Sequence, residues 1–412
     1  MTATARIDAP WLARRPLSDV LAILDSDGEE ARIAGGAVRD AALGLPRGDI
    51  DIATTATPDE VVRRASAAGW KTAPTGLDHG TVTVIARGHP FEVTTLRRDV
   101  ATDGRRATVA FTRDWAEDAA RRDLTMNGLY LDRAGCVHDH VDGLGDLHAG
   151  RVRFIGDPDE RIREDYLRIL RFFRFHARFA RGPIDAAGLH AAIANRGGLR
   201  RLSRERVRAE LLKLLVAPGA PGTVRAMAEA GLLGPVLGGV ARLVRFERLA
   251  ALDAGGDALL RLAGLGLFVA EDAERLQEWL RLSKTEARRL AAIGDARPPL
   301  APAMGEAAAK VALYRLGAPA FRDRATLARA EAGAGEGDAG WAGLLALPER
   351  WPPPAQPFAA KDFLARGVSA GPALGQALKA AEEAWIAAGF PDGADEVAAL
   401  LDGISQPYLS RP

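Results

Sequence analysis

The sequence predicts an α+β protein, a small α/β head followed by a long all-helical remainder, on three observations. Short β-rich runs alternate with helical ones over the first 150 residues; the β signal stops after Gly156; and beyond it long helical patterns are interrupted only by glycine and proline. At 412 residues the chain is too long for one core. Shifts in pattern divide it into a head (1–150), a neck (151–216), a body (217–300) and a tail (301–412).

In the head, ARIAGG (31–36) reads as a strand, AVRDAALG (37–44) as a helix and DIDIAT (49–54) as a second strand. Thr57, Pro58 and Glu60 form an N-cap, first-turn proline and capping-box acid, and so open a second helix. HGTVTVIARG (79–88) and HPFEVTTLRR (89–98) alternate as two strands joined through Gly88 and His89. Past Gly156, residues 158–180 (PDERIREDYLRILRFFRFHARFA) read as one helix, followed by LSRERVRAELLKLLVA and PGTVRAMAEAGLLGPVL. Turn-rich stretches at 295–305, 331–340 and 348–357 separate later helical segments, and no internal repeat is visible.

Composition limits what single residues can mean. Of 55 basic residues only six are lysine, so only patterned arginines carry weight. The lone Cys136 excludes an internal disulfide and suits a reducing compartment. The opening MTATARIDAPWLARRPL has no apolar signal core, and the longest apolar run, Leu262 to Ala270, is too short for a bilayer. A cytoplasmic protein with no membrane contact is expected, and nothing implies a protein partner. The net charge of +1 is unevenly spread: 151–213 holds 16 Lys/Arg against 8 Asp/Glu. A block that basic is a footprint for a polyanion.

Two motifs in the head point to phosphate chemistry. Gly35 and Gly36 stand between a strand and a helix, where open backbone N–H groups can hold phosphate, and Arg39 one turn on can add charge. Asp49 and Asp51, two apart on a strand, share a face, where like charges are unfavourable unless neutralised. With hard oxygen ligands and no nearby His or Cys, Mg²⁺ is the expected cation. Glu92, in the neighbouring strand FEVTT, is a candidate third carboxylate.

These motifs, with RRDLTMNGLYLD (121–132), FEVTTLR, DGRR (103–106), EDAARRD (117–123), DGLGDL (142–147) and EDYLRILRFFRF (164–175), resemble the class II tRNA nucleotidyltransferases (CCA-adding enzymes) and bacterial poly(A) polymerases. The likeness covers about the first 215 residues; Leu124 and Gly128 stand where Phe and Ala are common in that family. The resemblance implies a polymerase β-type nucleotidyltransferase head that adds CCA to the tRNA 3′ end from CTP and ATP. It implies nucleotide contacts from Gly36 and Arg39, two Mg²⁺ ions on Asp49 and Asp51, triphosphate binding by Arg122, and a bracing role for Asp123 and Asn127. Poly(A) polymerase, CC-only or A-only activity is the alternative within the family, and a non-catalytic RNA-binding module lies outside it. DGRR lies in a region the family links to the final A addition.

In residues 158–180 the apolar residues share one arc, and Arg168, Arg171, Arg174 and Arg178 share another. On a continuous helix, Asp165 three residues before Arg168 would present an acceptor beside a donor. That edge matches cytosine and adenine and is mismatched to guanine and uracil, whose unpaired partners would be penalised. Arg171 and Arg174, further along, are expected to face the triphosphate or the RNA end. Arg204, Arg206 and Arg208, after Ser203, are candidate tRNA contacts, as is the Gly/Pro-rich turn GVSAGPALG.

Overall fold

The computed structural model describes the chain apart from residues 1–4, 47, 77–79, 104–105, 254, 296, 336 and 409–412. Among the described residues nine strands precede the helical remainder: β1 (Ala31–Ala34), β2 (Asp51–Thr54), β3 (Lys71–Gly76), β4 (Thr81–Ala86), β5 (His89–Thr95), β6 (Arg97–Asp103), β7 (Arg106–Phe111), β8 (Leu129–Leu131) and β9 (Val137–Asp139). Seven form one sheet in the order β3-β4-β5-β2-β1-β8-β9, while β6 and β7 form a separate ribbon. Within the large sheet β2 and β5 are parallel and the other pairs antiparallel. The DGRR segment enters from β6 and leaves into β7, and its Gly104 and Arg105 lie outside the described residues.

The sheet follows from its apolar register. Ile33, Ile52 and Val93 sit side by side on β1, β2 and β5 and are each no more than 1% exposed. Burying such a side chain contributes about 1.5–3 kcal/mol. Two boundaries differ from expectation. β2 begins at Asp51, so Asp49 and Ile50 precede the strand. The run expected as a strand through Arg98 breaks at Leu96, whose N–H turns to the Thr54 carbonyl at 2.8 Å before β6 leaves for the ribbon. Strands β3, β8 and β9 gave no alternating signal; β8 is buried along its whole length, so no polar face marks it.

The helices that frame the head and neck are α1 (Leu17–Leu24), α2 (Gly36–Ala42), α3 (Pro58–Ala67), α4 (Trp115–Ala120), α5 (Gly143–Ala149), α6 (Pro158–Glu164), α7 (Leu167–Phe179), α8 (Ala186–Ala194) and α9 (Arg204–Leu215). Thr57 caps α3, its side chain accepting from the Glu60 N–H, with Pro58 first in the helix. Ser203 occupies the N-cap of α9 without a side-chain cap bond. The single helix expected over 158–180 is two: Asp165, at φ −154° and ψ 106°, is extended and separates α6 from α7.

The chain forms two compact units, residues 1–243 with 256–258 and 275–283, and residues 244–255, 259–274 and 284–412. This division is coarser than the four segments expected. The described residues of the second unit carry no strand. One of its cores packs Phe321 and Trp341 with Leu313, and another packs Phe363 with Trp385. Among the described residues no helix is long and apolar enough to cross a membrane.

Candidate functional site

The turn from β1 into α2 fixes the first feature. Gly35 has φ 67° and ψ −119°, a conformation nearly closed to residues with a Cβ. A Cβ built there would stand 3.2 Å from Arg122 Nη1, so the Arg122 guanidinium lies against the turn. Gly36 has ordinary φ, and a Cβ on it would meet only Arg39 Nη2 at 3.6 Å. With seven residues, α2 adds little dipole of its own, and Arg122 supplies the positive charge at this point.

Opposite stand the carboxylates. Asp51 opens β2 as the exposed first residue of a strand whose other three are buried.

 
Its partner in parallel register on β5 is Glu92. Desolvation first, then the Glu92 carboxylate, pushes the Asp51 carboxyl above its usual range; Arg122 opposes the shift and Asp49 adds to it. The fields of Asp49, Glu92 and Arg122 therefore meet at Asp51, although Asp49 lies outside the strand. Excess carboxylate charge with all-oxygen donors suits a divalent cation. Among the described residues no three His, Cys, Asp or Glu side chains are grouped so as to hold a metal ion, so substrate phosphates and water would have to supply further ligands.

Arg122 is held from behind. Its Nε donates to Tyr130 Oη at 3.3 Å and its Nη2 to Asp118 Oδ2 at 3.2 Å. Tyr130 Oη in turn donates to the same Asp118 oxygen at 2.6 Å. Neither Tyr130 nor Asp118 was singled out from the sequence, because a tyrosine in a short apolar strand looks like core.

Arg39 does not stand where the sequence reading put it. Only 8% exposed, it donates to Asn127 Oδ1 at 2.8 Å and, through Nε and Nη2, to Asp40 Oδ1 at 2.9 and 2.8 Å. Its guanidinium packs over Phe179 and Phe175 of α7, at 4.5 and 5.1 Å from the ring centroids. It therefore bridges α2 to the neck helix, with donors on all three of its nitrogens already engaged. Asn127 Nδ2 continues the chain to Asp123 Oδ1 at 3.0 Å, which fits the bracing role expected of both residues.

The arginine row is a seam of ion pairs. Arg171 Nε donates to Asp123 Oδ2 at 2.6 Å, and Arg174 Nε to Glu210 Oε2 on α9 at 2.5 Å. Arg171 Nη1 lies 3.9 Å from Glu210 Oε1. Arg171 and Arg174, expected to face the triphosphate or RNA, are here both paired with carboxylates from distant parts of the chain. Arg178 is exposed.

The expected Asp165–Arg168 pair is not formed either, because the helix breaks between them. Asp165 Oδ1 accepts from the Leu167 N–H at 3.1 Å, capping the start of α7, and Oδ2 accepts from Arg206 at 2.5 Å. Arg168 pairs with Glu164 and donates to the Arg161 and Arg121 carbonyls at 3.0 and 3.3 Å. Both side chains remain partly accessible, at 23% and 14%.

Residues 31–153 match the family described as "Poly A polymerase head domain", and residues 184–243 match "Probable RNA and SrmB- binding site of polymerase A". The mitochondrial CCA tRNA nucleotidyltransferase 1 of Mus musculus is 34% identical over 390 residues, 93% of this chain and 89% of that protein. The CCA-adding enzyme of Limosilactobacillus fermentum is 32% identical over 379 residues, 88% of this chain and 90% of its own. Among solved structures, the Bacillus stearothermophilus CCA-adding enzyme in complex with CTP superposes with a TM-score of 0.75 at 27% identity, covering 96% of this chain and 98% of that one.

Proposed function

The chain belongs to the class II family of CCA-adding tRNA nucleotidyltransferases and poly(A) polymerases, and from that premise we propose how its site works. The activity is addition of cytidylate and adenylate to the 3′ end of tRNA from CTP and ATP, with release of pyrophosphate. The observation that carries the site reading is the meeting of Asp51, Glu92 and Arg122 beside the Gly35 turn.

The RNA 3′-hydroxyl attacks the α-phosphorus in line, forming a new P–O bond as the bond to the bridging oxygen of pyrophosphate breaks. Asp49 and Asp51 would hold two divalent cations, with Glu92 as a third carboxylate. We take both as Mg²⁺: when bound, one would lower the pKa of the attacking hydroxyl and the other would steady the leaving pyrophosphate. Arg122 grips the triphosphate while the Gly35 and Gly36 backbone lets it approach closely. Arg39 supports this face indirectly through Asn127.

Asp165 and Arg168 read the base by exchanging partners. Asp165 leaves Arg206 to accept from the amino group of cytosine or adenine, and Arg168 leaves Glu164 to donate to the ring nitrogen. Arg171 and Arg174 act one layer back, fixing α7 through Asp123 and Glu210. The four-segment division, with a catalytic head, selecting neck and RNA-binding tail, is kept as part of this reading, as is a cytoplasmic setting. Residues 361–412 carry seven acidic against four basic residues, which disfavours a long RNA track and hence a poly(A) polymerase.

The test is substitution of the acids. Asp49→Ala and Asp51→Ala should each lower turnover by orders of magnitude while tRNA binding stays near normal. Near-normal turnover in either variant would remove that residue from the reaction.

A further inference from the structure

We infer that the Tyr130 hydroxyl is a positioning group for Arg122, setting the aim of its guanidinium and thereby the strength of the grip on the nucleotide triphosphate. The inference rests on the reading of Arg122 as the triphosphate ligand and adds a residue to which the sequence reading gave no role.

The geometry is specific. Tyr130 lies on β8, fully buried, with Trp115 packed edge-on against its ring at a centroid distance of 4.9 Å. Its hydroxyl has one proton and two acceptor lone pairs. The proton goes to Asp118 Oδ2 at 2.6 Å, and a lone pair receives Arg122 Nε at 3.3 Å. Burial, with the Asp118 charge, holds the phenol well above its usual range, so the proton stays on the oxygen at any working pH.

Asp118 is itself immobilised. Only 1% exposed, it accepts through Oδ1 from Arg121 Nε and Nη2 at 2.9 and 2.6 Å and from the Arg97 N–H at 3.2 Å. Its Oδ2 serves Tyr130 and Arg122 Nη2. One edge of the Arg122 fork, Nε with Nη2, is thus pinned to a rigid pair, and the Tyr130 ring lies under the guanidinium at 5.0 Å. On the other side Nη1 makes only a long bond of 3.4 Å to the Asn127 carbonyl, at the Gly35 turn. A planar fork pinned on one edge can turn its remaining donors only one way, which is what bidentate recognition of a phosphate needs. Without the hydroxyl, that edge of the fork is held by Asp118 alone, through a single nitrogen.

Tyr130→Phe deletes the oxygen and keeps the ring, its packing on Trp115 and its face toward Arg122. The inference predicts that KM for CTP and for ATP rise by a common factor of about five to ten, the worth of one hydrogen bond of typical net strength. Inhibition by added pyrophosphate should weaken by the same factor, with tRNA affinity unchanged. In an Arg122→Ala background Tyr130→Phe should add nothing further. Asp118→Asn, which keeps the shape of the support and removes its charge, should move the same two constants in the same direction. The inference is overturned if Tyr130→Phe leaves both constants within twofold of the parent, or if its effect persists in full without Arg122. If Arg122→Ala itself leaves nucleotide KM and pyrophosphate inhibition unchanged, the triphosphate reading of Arg122 falls, and this inference with it.

Discussion

Arg171 Nε donates to Asp123 Oδ2 at 2.6 Å, tying the RRD segment of the head to the first long helix of the neck across 48 residues of sequence. Burial alone would raise the Asp123 carboxyl; Arg171, the Asn127 amide and the Leu124 N–H outweigh it and pull the pKa down to about 2 from an ordinary 3.8. A depressed carboxyl stabilises the fold above its unfolded pKa, and that contribution is lost as pH falls toward the folded value. The shift corresponds to about 2 kcal/mol. Asp123→Asn should therefore be less stable than the parent by about that amount near neutrality, with the gap closing between pH 4 and 2. Denaturant midpoints measured across that range check it; a gap that does not depend on pH would show that the charge is not what stabilises the contact.

The two glycines at the β1–α2 turn should differ sharply. Gly35→Ala places a Cβ 3.2 Å from Arg122 Nη1 in a backbone conformation that L-residues avoid, whereas Gly36→Ala meets ordinary contact only. Gly35→Ala should lower kcat/KM for nucleotide at least tenfold, roughly 1.4 kcal/mol of transition-state binding. Gly36→Ala should fold normally and lose less. Steady-state kinetics on the two variants decide it, and equal losses would contradict the geometry.

How far the sequence carried these conclusions depends on distance along the chain. The turn at Gly35 and Gly36 and the strand that carries Asp51 were legible because both are local, set by residue type and apolar alternation, although the strand begins at Asp51 and leaves Asp49 outside it. The break at Asp165 was not: EDYLRIL keeps a helical apolar period and contains neither glycine nor proline. The available signal was the aspartate itself, a residue suited to capping the helix that starts just after it. The partners of Arg171 and Arg174 were invisible because Asp123 and Glu210 lie 48 and 36 residues away. Arg39 misled for the opposite reason. Its position after two glycines suggested an anion, yet the rings it packs on belong to α7, more than a hundred residues further along.

Base selection offers the next prediction. Asp165→Ala removes the acceptor proposed for the amino groups of C and A, and should narrow the preference for CTP and ATP over UTP and GTP by roughly ten- to a hundredfold. Exchanging the pair, Asp165→Arg with Arg168→Asp, should shift preference toward UTP or GTP. Incorporation assays with each nucleotide read this directly. An equal loss for all four nucleotides would leave Asp165 as the cap of α7 and the partner of Arg206, with no part in selection.

The basic neck should make tRNA affinity depend steeply on salt, since each neutralised phosphate releases counterions. Many of its arginines already pair with carboxylates, so the slope should come from exposed ones such as Arg178, Arg200 and Arg201. Neutralising Arg200 and Arg201 together should flatten log K against log salt by about two phosphate contacts. An unchanged slope would assign these residues to ordinary solvated surface.

The central claim, that this chain builds CCA on tRNA, is tested most directly by sequencing its products. tRNA lacking its 3′ terminal triplet would be incubated with CTP alone, ATP alone, and both, and the 3′ ends read. The account predicts two cytidylates with CTP alone, a single terminal adenylate after them when ATP is also present, and then a halt. A tract of adenylates, or a product that stops at CC with both nucleotides supplied, would contradict it.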